Sequence, residues 1–170
     1  MSKSIVGIAK SSSQVELTVD ELQDSAVVPA SDISVLMPDS EGSPELGTVK
    51  ATKAPEGAAT GAVSGGAIGG TVGLLAGIGA LAIPGLGPFI AAGPIMAALG
   101  GAAAGATAGG VVGALVGVGI PEYEAKAYED RIKKGGYLVA VHVENSTKGN
   151  AVRDIMKDNG LEDISGVSEK

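Results

Sequence analysis

A chain of 170 residues is long enough for one compact domain with an appended segment and short for two domains that each need a core of their own. It carries 28 glycines, no tryptophan and a single phenylalanine, Phe89, so large core-filling side chains are scarce. A net charge of −7 with dispersed Lys and Arg argues against a nucleic-acid partner, and the absence of cysteine excludes disulfides, thiolate metal sites and a cysteine nucleophile.

After Lys3 the apolar run 5–9 is far shorter than a signal-peptide core and gives way to Lys10 and serines, so the soluble part is expected to be cytoplasmic. Residues 4–10 read as a strand. The serines at 11–13 can cap a helix whose apolar positions Val15, Val19 and Leu22 follow at i, i+4 and i+7, and Asp32-Ile33-Ser34 marks a second strand. Residues 1–50 are therefore expected to form a β-α-β half of an α/β domain.

The next segment, 51–120, is of a different kind, because no charged residue falls between Glu56 and Glu122. Glycine recurs every fourth position at Gly57, Gly61, Gly65, Gly69, Gly73 and Gly77, and again at Gly101, Gly105, Gly109, Gly113 and Gly117. Residues four apart share one helix face, so each run predicts a bare groove into which another helix can press closely. Helix-interior glycine costs about 1 kcal/mol relative to alanine, so the eleven zipper positions need close packing to offset on the order of 10 kcal/mol. Pro84, Gly85, Gly87, Pro88, Gly93 and Pro94 break the pattern and are expected to form the turn of an antiparallel helical hairpin, 57–83 and 95–119. With no charged face, such a hairpin needs cover from lipid or from further copies of the chain.

Residues 121–170 are expected to hold a connecting helix and the second half. Pro121 opens the helix, Glu122 and Glu124 lie in its first turn, Arg131, Lys133 and Lys134 in its last, and Gly135 follows, which together read as a solvated connector. A strand at 137–143, a helix around Ala151, Val152, Ile155 and Met156 with Gly160 as its stop, and Asp163-Ile164-Ser165 repeat the plan of the first half. Two β-α-β halves in tandem predict an α+β, ferredoxin-like βαββαβ sandwich, with the glycine-zipper hairpin inserted between its second and third strands.

Chemistry is thin. The loose G-x-G-x-x-A at 77–82 lies within the zipper and lacks the acidic partner of a dinucleotide site. His142 is the only histidine and shares a strand face with Glu144, too few ligands for a metal, while Asn145 reads as a helix cap and Glu162 and Asp163 as a solvated acidic turn. No cofactor, metal or catalytic residue is expected.

The stretch 69–88, followed by Gly-Ile-Pro-Glu-Tyr-Glu at 119–124 and Gly-Gly-Tyr-Leu-Val-Ala-Val-His at 135–142, resembles the bacterial general-stress-protein-type family of small proteins with a glycine-zipper insertion. The resemblance implies a ferredoxin-like domain, a stress-related role and no defined catalytic residues. Residue pattern and resemblance together lead to the expectation of a non-enzymatic assembly protein that forms homo-oligomers through its hairpins, in or at a membrane or as the apolar wall of a larger assembly. A regulatory or small-ligand-binding domain tethered to a membrane by the hairpin is the alternative.

Overall fold

The computed structural model describes residues 3–38, 79–83, 87–93, 110–117 and 119–168. Strands β1 (Lys3–Ala9), β2 (Ile33–Pro38), β3 (Gly79–Ile83), β4 (Gly87–Ala92), β5 (Tyr137–Val143) and β6 (Glu162–Ser168) form one sheet in the order β3-β4-β2-β5-β1-β6. All five pairings are antiparallel. Helices α1 (Ser12–Asp24), α2 (Gly110–Gly117), α3 (Glu122–Lys133) and α4 (Ser146–Asp158) complete a mixed α/β molecule.

The two expected β-α-β halves are present as β1-α1-β2 and β5-α4-β6, and they interlock. β1 lies between β5 and β6, while β5 lies between β1 and β2. Each half starts its helix with the same device: the Ser11 hydroxyl accepts from the Gln14 N–H at 3.3 Å, and the Asn145 side chain accepts from the Lys148 N–H at 2.9 Å.

Strand alternation sorts the apolar side chains into two cores. Ile5, Ala9, Ile33, Val35, Met37, Val139, Val141 and Val143 pack with Val15, Val19 and Leu22 of α1 and Val152 and Met156 of α4. On the opposite face, Val6, Ile8, Leu36, Leu138 and Ala140 meet Val111 and Leu115 of α2 and Ala125, Tyr128 and Ile132 of α3. The sheet is covered on both sides.

Three sequence expectations need correction. Residues 79–83, expected at the end of the first zipper helix, are strand β3, and Gly87 and Pro88, expected in the hairpin turn, open strand β4. These runs are short and apolar; the β2 edge offers β4 backbone partners, with Val35 opposite Ala92 and Pro38 opposite Phe89, and β4 in turn pairs with β3. Pro88 lies one residue past that last register pair, where a missing N–H leaves no β2 partner unsatisfied. Gly93 closes β4 rather than turning a helical hairpin: its φ is +96°, and a Cβ there would overlap the Ile33 carbonyl and approach the Ser34 Cα to 2.6 Å. The third correction is α3, which is no free connector, since its Ala125, Tyr128 and Ile132 are buried under the sheet.

Gly93→Ala should therefore combine a left-handed backbone with a backbone overlap and destabilise the protein by about 2 kcal/mol or more, read as a fall in the urea midpoint.

Candidate interaction surface

The roll of α2 about its axis is fixed from inside. Val111 and Leu115, one turn apart, are 4% and 1% exposed and belong to the second core. At its C-terminal end the Gly119 N–H donates to the Val116 carbonyl and the Ile120 N–H to the Leu115 carbonyl, both at 3.0 Å, which is the Schellman arrangement. Gly119 takes the left-handed conformation this requires, with φ +97°, and Ile120 is buried against the same core as Leu115.

With Val111 and Leu115 inward, helical geometry turns Gly113 about 200° away from Val111, to the far side of α2. Among the described residues a Cβ placed on Gly113 meets no atom within 4 Å, and neighbouring Val116 is 42% exposed. Gly117 follows four residues later on the same stripe. Of the residues expected to pack helices, Gly113 and Gly117 are thus brought together on one helix, with the first of them facing outward. Gly57, Gly61, Gly65, Gly69, Gly73, Gly77, Gly101, Gly105 and Gly109, and the turn residues Pro84, Gly85 and Pro94, lie outside the described residues.

A second cluster gathers where α3 ends and β6 begins. Arg131 Nε lies 3.0 Å from Asp163 Oδ2, Arg131 Nη1 lies 3.5 Å from Glu162 Oε2, and Lys10 Nζ lies 2.5 Å from Glu162 Oε1. Asp163 has φ +52° and sits where the β1–β6 register shifts between Val6 and Ile8, a bulge at the sheet edge. Its carbonyl accepts from the Tyr128 hydroxyl at 2.7 Å, and Glu124 Oε2 accepts from the Ser165 hydroxyl at 2.5 Å, so α3 is pinned along β6. Burial pushes the Tyr128 phenol up to about 12. The solvated acidic turn expected at Glu162 and Asp163 is thus part of a four-residue ion-pair network. Its partners come from residues 10 and 131, distances in sequence that no local spacing could signal.

His142 is half-buried on the α2/α3 face, directly across from Ser4 in the β1–β5 register, while Ser34 is fully buried on the same face. Glu144 lies beyond the end of β5 and pairs with Lys148 at 3.4 Å. Among the described residues no three His, Asp or Glu side chains gather as metal ligands, and no helix is long and apolar enough to cross a membrane. No protein-family model, curated protein or solved structure matches the chain.

The Glu162 carboxyl is held below the ordinary value of 4.5, chiefly by the hydrogen bond from Lys10; desolvation opposes this, and the charges of Lys10 and Arg131 add to it. Its depressed value places the stabilisation above the unfolded-state titration, to be lost as pH falls through the folded-state one. Between neutral pH and values below 4.5, the urea midpoint of the parent protein should fall more steeply than that of Glu162→Gln. Parallel curves would show that the ion pairs contribute nothing.

Proposed function

We propose that the chain is a non-enzymatic assembly protein, a ferredoxin-like sandwich made of 1–50 and 121–170 that self-associates through its glycine-rich insertion, 51–120. The strand order β2-β5-β1-β6, with α1 and α4 on one face, supports the ferredoxin-like reading of the flanks. Membership of the stress-type family belongs to the same proposal and rests on the motifs at 69–88, 119–124 and 135–142.

The observation that carries the assembly reading is the open strip on α2. Gly-Val-Val-Gly-Ala-Leu-Val-Gly contains no polar side chain, and its middle glycine, half-buried, lies on the side away from the core with no atom of the described residues within 4 Å of where its Cβ would stand. A helix displayed only to water has no use for glycine there, since almost any other residue would stabilise it by several tenths of a kcal/mol. A helix that receives a second backbone needs glycine, because a side chain would hold the two apart. The favoured occupant is a second copy of this chain, which brings an identical bare strip across a two-fold axis. Lipid is the second reading, motivated by the lack of any charge between Glu56 and Glu122.

Gly113→Gln separates these outcomes. In a monomer it meets open space and should raise the stability of α2 by several tenths of a kcal/mol. In the assembly it should convert the oligomer to smaller species, read by light scattering coupled to gel filtration, without lowering the melting temperature. Recovery of the parent protein only from detergent extracts would favour lipid. A parent protein that runs as a detergent-independent monomer, or a variant of unchanged oligomeric size, would overturn self-association and leave the ligand-binding alternative.

A further inference from the structure

A cleft of about 150 Å³ opens between the C-terminal end of α3 and the end of β1. Ile8, Ala9 and the backbone of Gly135 and Gly136 form its apolar part, and Lys10, Arg131, Lys134 and Glu162 supply its charges. Counting Asp163, which holds Arg131 at 3.0 Å, three cations meet two carboxylates, so the site keeps one net positive charge in a chain whose net charge is −7. Such a contrast concentrates small anions from solution.

The three cations are not equivalent. The Arg131 guanidinium is already shared between Glu162 and Asp163, so it braces the wall. Lys10 gives one of its three ammonium donors to Glu162 and keeps the others. Lys134, the residue that caps α3, has no ion pair among the described residues. Gly135, with φ +88° and open space where its Cβ would stand, leaves the mouth clear beside it.

We propose that this cleft binds a small dianion, the phosphate or dicarboxylate group of a compact ligand, between Lys134 and Lys10. The volume lies below the roughly 300 Å³ at which pockets begin to enclose drug-sized molecules, which excludes burial of a whole nucleotide. Glu162 acts as the built-in competitor: its carboxylate occupies Lys10 in the free protein and repels an incoming anion. The site therefore has a signature that screening alone does not produce, because removing a cation and removing the carboxylate change affinity in opposite directions.

The test is titration of the full chain with inorganic phosphate and, separately, succinate at constant ionic strength, followed by the amide resonances of Ile8, Gly135 and Gly136. The expected result is saturable shifts, with affinity weakened about tenfold in Lys134→Met and in Lys10→Met, and strengthened several-fold in Glu162→Gln. Preference for phosphate over succinate would assign a phosphorylated ligand, and the reverse a dicarboxylate. Each variant is checked by its melting curve, and the two lysine variants stand in for one another if one fails to fold. Absence of saturable shifts up to millimolar concentrations of both probes overturns the site, as does binding that Lys134→Met and Glu162→Gln leave unchanged. The oligomeric state plays no part in the readout, so failure here leaves the assembly reading intact.

Discussion

The pairing of β1 with β5 is the constraint from which the rest of the molecule follows. Ile5, Val6, Ile8 and Ala9 of β1, and Leu138, Val139, Ala140 and Val141 of β5, are all at most 2% exposed. Both strands read as nearly continuous apolar runs because both faces are covered, a pattern more usual for parallel sheets. Each fully buried Val, Leu or Ile contributes about 1.5–3 kcal/mol, so stripping either covering layer would expose one side chain in two along the two most apolar strands. The first layer, α1 and α4, comes with the duplicated halves. A second layer has to come from elsewhere, and α2 and α3 supply it.

That need explains how α3 is held. Its buried stripe, Ala125, Tyr128 and Ile132, sits on the sheet, while Glu124, Tyr128 and Arg131 reach across to Ser165 and Asp163 of the outer strand. Helix and edge strand are fastened at three levels. The edge itself is poorly suited to accept a further strand, because it carries Glu162, Asp163 and a bulge, features that discourage edge-to-edge growth. Lengthening of the sheet at β6 is disfavoured on both counts.

Much of the sheet was legible from the sequence. Strand, cap and stop signals in the two halves were strong because they are local: Ser11 and Asn145 cap as expected, and Gly135 and Gly160 follow their helices with positive φ. Residues 79–83 were misread because a short apolar run of small residues fits a helix or a strand equally well and the glycine period gave no reason to stop at Gly77, and Gly87 and Pro88 were misread because Gly and Pro signal a turn as readily as the start of a strand. α3 carried both a buried stripe and the i, i+4 ion pairs Glu122–Lys126 and Glu129–Lys133, and the charges were the louder of the two. The cleft was invisible for another reason: Lys10, Lys134 and Glu162 become neighbours only when the first strand is laid between the last two.

The same arrangement governs how the chain reaches its native state. β1 precedes the other strands of the sheet in the chain, yet its partners are residues 137–143 on one side and 162–168 on the other. It cannot be seated on both sides until those residues have been synthesised, and until then its apolar run stays available to incorrect partners. Closing contacts over such separations slows folding and lengthens that exposure. Removing β6 would strip one side of β1, so damage to the last strand of the sheet would be felt directly by the first.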